Sequence, residues 1–337
     1  MRENQDARPQ LIGDPVTEVR PGYQLEPDAV RLMLTAPSFP TLLDLLGIRG
    51  IDQEELRALI PAVTADDEIL SEVTRGANLL RAGAGLTAPT PALEQEQKAW
   101  NELQERIVPG QGLIAILAHV VGTDVVRAWH RARGVDETTS WASLADLGQQ
   151  TVVHRRVFGE LGLHTVGWTA MNWTGRLFWL GRLQIDLHRT TFLDGASSEQ
   201  PGRWVLGLHI PATGPLTPTS VDESLERMSA FAREHFADLD HEGYPPFGTD
   251  FECHSWMINH ELATMLGADS NLGHFALRWD VKNTWDAEKD AVFFVFSKRP
   301  PYDVAELPRD SRLRDGLVER FLDGRGWLGG AGHMRRA

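Results

Sequence analysis

Twelve histidines and one cysteine limit where this 337-residue chain can do chemistry. Two histidines stand in apolar segments that read as strands. His209 lies near the end of Trp204-Val205-Leu206-Gly207-Leu208-His209-Ile210, and His254 lies within Phe251-Glu252-Cys253-His254-Ser255-Trp256-Met257. Imidazole titrates near neutral pH, so either ring suits a general base. The alternative for each is a core histidine bonded to a backbone carbonyl. Two of them on strands expected to be neighbours, beside a candidate phosphate-binding turn, favour function for at least one. Cys253 is next to His254, and adjacent strand residues point to opposite faces, so these two make no nucleophile–base pair. Cys253 with His209 stays open as a lesser reading; against a helix layer, Cys253 is simply a small apolar residue. His260-Glu261-Leu262-Ala263-Thr264 begins like a zinc-protease helix but lacks the second histidine, so no metal site is expected. No Gly-x-Ser-x-Gly nucleophile turn is present.

Between the two strands the chain must turn and climb a helix. Pro211-Ala212-Thr213-Gly214-Pro215-Leu216 reads as the turn, and Thr217-Pro218 as the helix start, with Thr217 capping and Pro218 at the first helical position. Val221, Leu225, Met228 and Ala232 recur at the helical period and give its inner face. A strand that runs into a turn and a helix N-terminus gathers unpaired backbone N–H groups at one spot, which suits a phosphate or carboxylate. An ordinary strand–helix unit with no ligand has the same pattern.

Stepping outward along the chain, residues 1–25 read as a polar, loose arm, and helices are expected over 53–60, 66–81, 91–107 and 113–133. Gly83-Ala84-Gly85 follows a helix and lacks the Lys-Ser/Thr of a phosphate loop, so it reads as a turn. The polar Gly134–Thr139 stretch is expected to join a helical domain, 26–135, to a mixed α/β domain, 136–299, followed by a helix over 310–323 and a mobile tail within 300–337. Expected in the second domain are one helix over 143–161 and strands at 166–173, 177–188, 204–210, 251–257 and 291–297. A net charge of −14 argues against nucleic-acid binding and against adsorption to anionic membranes. One cysteine excludes an internal disulfide, and no apolar run reaches the roughly 18 residues of a membrane span, so membrane insertion is not expected and a cytoplasmic location is.

Four stretches, taken in order, resemble bacterial two-domain acyltransferases with a helical N-terminal domain and a GNAT-like C-terminal domain. They are Trp179-Leu180-Gly181-Arg182-Leu183-Gln184, Leu208 through Pro218, Cys253-His254-Ser255-Trp256 and Asp269-Ser270-Asn271. The resemblance covers about residues 26–298. It implies a mixed-sheet α/β fold in which strands 204–210 and 251–257 are parallel neighbours that splay apart. A thioester donor's pantetheine arm would lie in the gap, as an added strand does. On this mapping Leu208, Ile210, Thr213, Gly214, Leu216, Thr217 and Asn271 hold the donor, and His254 with His209 does the proton chemistry. The family's usual phosphate loop has two glycines; here there is Gly214 alone, and Pro215 has no N–H to give. The donor is therefore either acyl-CoA or an acyl group on the phosphopantetheine of an acyl carrier protein. Arg176, Arg182, Arg189 and Arg203 are candidate basic contacts, and tryptophans such as Trp204, Trp256 and Trp285 could line an acyl channel.

The implied activity is acyl transfer from a thioester to an amine or hydroxyl of a small-molecule or peptide acceptor, by direct attack. A non-catalytic acyl-thioester or carrier-protein binding module and a thioester hydrolase are the alternatives.

Overall fold

The computed structural model describes residues 24–86 and 92–336. Nearly all of the expected N-terminal arm lies outside those residues. The chain divides into two compact units, the first ending at Phe178 and the second running from Trp179. The polar stretch expected to join the domains therefore lies inside the first unit, where Asp136 caps a helix.

Among the described residues the first unit is built of ten helices: α1 (Pro27–Thr35), α2 (Phe39–Leu45), α3 (Gly50–Ala65), α4 (Asp67–Ala82), α5 (Leu93–Gln104), α6 (Leu113–Val121), α7 (Thr123–Ala132), α8 (Glu137–Leu144), α9 (Asp146–Phe158) and α10 (Val166–Trp173). Asp66 starts α4 by accepting from the N–H groups of Glu68 and Ile69, and Asp136 starts α8 by accepting from Thr139. All nine residues of α6 are buried, as a helix apolar on every side must be. Among the described residues no single helix is long and apolar enough to cross a membrane; α6 and α7 pass that test jointly, bent by 43°.

Apart from Leu177 and Phe178, the first two residues of β1, the second unit holds a six-stranded mixed sheet ordered β1-β2-β3-β4-β6-β5. Its strands are β1 (Leu177–Leu180), β2 (Leu183–Arg189), β3 (Trp204–His209), β4 (Asp250–Ser255), β5 (Asp280–Asp286) and β6 (Leu328–Arg335). β3 and β4 are parallel neighbours; β2–β3, β4–β6 and β6–β5 are antiparallel. The helices are α11 (Pro218–Phe236), α12 (Glu261–Leu266), α13 (Asn271–Ala276), α14 (Glu288–Phe296) and α15 (Arg312–Leu322). α11 makes the crossover from β3 to β4, capped as expected by Thr217 Oγ1, which accepts from Ser220 N. Its buried residues include Val221, Leu225, Met228 and Ala232, the face read from the sequence.

Four local expectations are corrected. Val166–Trp173 is helical: its buried residues include Val166, Thr169, Ala170 and Trp173, at a spacing of three and four that belongs to a helix. Residues 143–161 hold the end of α8 and all of α9 rather than one helix. The apolar run Ala291–Phe296 lies in α14, burying Ala291, Val292 and Phe296 while Phe294 is exposed. The expected mobile tail contains β6, which pairs on both sides. Its glycines fit a tight site: a Cβ on Gly330 would meet the Ile258 carbonyl oxygen, and one on Gly332 would come within 2.9 Å of Trp279 Cβ.

Gly330→Ala is therefore expected to lower stability by about 1–3 kcal/mol through overpacking against Ile258. Urea unfolding measures this; a neutral variant would show that β6 has room to move.

Candidate active site

The polar side chains of the second unit collect on one face of its central strands. Asp186 on β2 is registered with Gly207 on β3, and Gly207 with Glu252 on β4. Alternate residues share a face, so Asp186, His188, His209, Glu252 and His254 all project to the same side. Leu206 and Leu208, in between, are buried on the other.

These groups are joined. His209 Nε2 lies 2.7 Å from Asp186 Oδ1, and His188 Nδ1 lies 3.1 Å from Asp186 Oδ2. The other nitrogen of His188 is 3.0 Å from Glu252 Oε2, and Thr190 Oγ1 donates to Glu252 Oε1. Glu252 is fully buried. Gly207 makes this possible, because a Cβ there would collide with Asp186 Oδ1 and come within 2.6 Å of His188 Nδ1. Burial opposes charge on His188, but Asp186 and then Glu252 outweigh it and raise its pKa to about 10. Burial also opposes charge on Asp186, and the two imidazoles hold its carboxyl well below the usual range. At neutral pH His188 is therefore a cation, held between Asp186 and Glu252.

His254 is different. Its side chain is exposed, flanked by Phe192 with ring centroids 5.3 Å apart and by Trp285 at 6.2 Å. Desolvation lowers its pKa, and His188 and His209 add to that against the carboxylates. It is a neutral imidazole at pH 7 and makes no hydrogen bond among the described residues. It stands two residues beyond Glu252, the last β4 residue registered with β3. Past Gly207 and Glu252 both strands continue, to His209 and Ser255, without further pairing between them. The main-chain edge of β3 at Leu208 and His209 is thereby open toward β4, and Ile210 follows directly.

Cys253 faces away from this site. It is buried on the opposite side of β4, and burial, then Asp186, push its thiol pKa up. The Cys253–His209 pair is thus ruled out by register, and a buried thiol with a raised pKa is not a nucleophile.

The turn after β3 has the shape of an anion site. Gly214 adopts φ 54°, with nothing within 4 Å of where a Cβ would stand. The N–H groups of Ala212, Gly214, Leu216 and Thr217 have no partner among the described residues, whereas Thr213 N–H is spent on Pro211 O at 2.8 Å. Arg182, read from the sequence as a basic ligand contact, instead donates to three carbonyls of this turn: Pro211 at 3.0 Å, Gly214 at 3.0 Å and Pro215 at 3.2 Å. Arg203 is also spent internally, on Asp194 and Asp250. Arg189 donates to Gly202 O and Arg176 to Thr174 Oγ1. Asn271 opens α13, exposed, and no hydrogen bond ties it to the turn among the described residues.

His209, His254 and the turn stand out in the sequence; Asp186, His188 and Glu252, which the register brings beside the histidines, do not. The available signal was alternation: Gln184-Ile185-Asp186-Leu187-His188 and Glu252-Cys253-His254 place a polar group at every second position of otherwise buried strands.

The cluster makes stability depend on pH. The folded pKa of His188 lies above its ordinary 6.5, so its contribution is full below about 6.5 and is lost as pH rises through about 10. The difference in unfolding free energy between the parent and His188→Gln is expected to shrink across that window, measured by denaturant unfolding at several pH values. A constant difference would mean that His188 is neutral when folded.

The two halves of the chain match separate family models. Residues 37–175 match the N-acyltransferase N-terminal domain, and residues 177–334 match the GNAT-like C-terminal domain. No curated protein matches the chain. Among solved structures, an acyltransferase in complex with decanoyl-CoA is 26% identical with a TM-score of 0.69, the alignment covering 96% of this chain and 92% of that one. An acyltransferase in complex with decanoyl-CoA and teicoplanin is 24% identical with a TM-score of 0.70, covering 92% and 99%, a likeness of fold. Both halves are matched, in the order and at the junction that the structure shows: this chain belongs to the acyltransferases that join an N-acyltransferase N-terminal domain to a GNAT-like C-terminal domain.

Proposed function

We propose that the protein moves an acyl group from acyl-CoA to an amine of a small-molecule or peptide acceptor, with His254 as general base. The observation that carries this is the end of β3–β4 pairing at Gly207 and Glu252, with a neutral, exposed imidazole on the next residue of the same face. A pantetheine arm has amides of its own and can bond to the unpaired edge of β3 at Leu208 and Ile210. The free N–H groups at Gly214, Leu216 and Thr217 then receive a phosphate. The likeness to a decanoyl-CoA complex supports a CoA donor with a medium-length chain. A donor on an acyl carrier protein is the second form of the reaction, favoured by the single glycine of the turn. The cytoplasm is the compartment that supplies either donor.

Asp186 and Glu252 lie on this face, and acidic groups beside the gap draw an ammonium. The ammonium must lose its proton before nitrogen can attack. That first proton goes to solvent; His254 accepts the second as the C–N bond forms and the C–S bond breaks, and passes it to the departing thiolate, leaving an amide and free thiol. His209, bonded to Asp186, lines the same gap and helps to orient the donor or the water that passes the proton.

Removing a general base costs on the order of 10²–10⁴ in rate. His254→Ala is expected to lose about that in turnover, with acyl-CoA affinity little changed and the fold intact by thermal unfolding. In the parent, kcat/KM should fall as pH drops through a pKa below 6.5, the direction in which His254 is shifted. A folded His254→Ala that turns over within a few-fold of the parent would make His254 a bystander. Thiol release that is as fast without an amine as with one would make the protein a hydrolase, and no release at all would make it a binding module.

A further inference from the structure

One side chain accounts for the shape of the donor turn. Arg182 donates through all three nitrogens of its guanidinium, to the carbonyls of Pro211, Gly214 and Pro215. A trans peptide is planar, and its C=O and N–H point in opposite directions. The Pro211 carbonyl shares its plane with the N–H of Ala212, and the Pro215 carbonyl shares its plane with the N–H of Leu216. Drawing those two carbonyls onto the guanidinium therefore turns the Ala212 and Leu216 N–H groups to the other side of the turn, where neither has a partner among the described residues. The Gly214 carbonyl shares its plane with the nitrogen of Pro215, which has no hydrogen. That third bond fixes the turn without aiming a donor, and it is compatible with the left-handed Gly214.

Arg182 is itself held. Gly181 before it adopts φ 84°, and Arg182 N donates to Ser224 Oγ at 2.8 Å. Ser224 Oγ in turn donates to Ser220 O at 2.8 Å within α11. The β1–β2 turn, the donor turn and the first turns of α11 are thus locked to one another through this arginine. A lysine could not replace it, since one ammonium nitrogen cannot reach three carbonyls as a planar fork does.

We propose that Arg182 is a positioning residue for the acyl donor: it aims the Ala212 and Leu216 amides at a donor phosphate and places a fixed positive charge behind them. The inference rests on the reading of this turn as the phosphate site. Arg182 bonds to the protein and leaves the phosphate to the amides, so it acts on donor binding rather than on the acyl-transfer step.

Acyl-4′-phosphopantetheine and acyl-pantetheine differ by one phosphate alone, so the ratio of KM for the first to KM for the second reads the phosphate contact. Arg182→Ala is expected to raise that ratio about 10- to 100-fold, the worth of one or two bonds to a charged group, with kcat at saturating acyl-CoA within a few-fold of the parent. Arg182→Lys should raise it too, and added guanidinium ion should restore Arg182→Ala but not Gly214→Val. If Gly214→Val raises the ratio and both Arg182 variants leave it unchanged, the turn is the phosphate site and the role given to Arg182 is wrong. If no variant changes the ratio, the phosphate reading of the turn falls and this inference with it. An equal rise in both KM values with a lowered melting temperature would make Arg182 merely structural. Should Arg182→Ala fail to fold, Arg182→Lys decides by the same ratio.

Discussion

The second unit depends on a polar strap laid across three strands where a backbone ladder stops. β3 and β4 pair only at Leu206–Phe251 and Gly207–Glu252. At that same level His188 reaches from β2 over Gly207 to Glu252 on β4, while Asp186 holds both His188 and His209. Ladder bonds lost in a sheet interior are costly unless another group replaces them. Here the strap ties the three strands together through side chains alone, and the unpaired main-chain groups are left for a bound ligand. The buried Glu252 is tolerated because His188 and Thr190 hydrogen-bond to its two oxygens, and Gly207 supplies the space.

Structure and chemistry follow from the same constraint. Because the strands part just past the strap, His254 is carried beyond the closed ladder to an open position while remaining beside the charged cluster. The strap keeps its own proton on His188 and leaves His254 neutral, so that two imidazoles on one face take opposite roles. The donor turn begins where β3 ends, so the part of the sheet that opens and the part that can hold a phosphate are joined by a single residue, Ile210. The spacing between them suits a ligand with an extended, amide-bearing arm and a phosphate at its end.

Much of this unit could be read from the chain because its signals are local. Thr217-Pro218 fixes a helix start, Val221, Leu225, Met228 and Ala232 fix its face, and a strand–helix–strand order defaults to a right-handed parallel crossover. What could not be read depends on distant partners. β6 is glycine-rich because Ile258 and Trp279 press on it, and neither is near it in sequence. The phenylalanine-rich run of α14 has strong strand propensity, and burial of one side of a helix overrides it. Asp186 and Glu252 lie 66 residues apart, and only the register of β2, β3 and β4 shows that His188 bridges them. Arg182 was noticed for its charge, but its destination, three carbonyls about thirty residues on, is a product of the fold.

The central claim is that the gap between β3 and β4 receives the pantetheine arm and presents its acyl group to His254. A crystal structure with a non-hydrolysable acyl-CoA thioether tests it most directly. The account predicts pantetheine amides hydrogen-bonded to the main chain at Leu208 and Ile210, a phosphate on the N–H groups of the Pro211–Leu216 turn, and the acyl carbonyl carbon beside the His254 ring. A donor bound elsewhere, with the gap empty and His254 remote from the thioether, would contradict it.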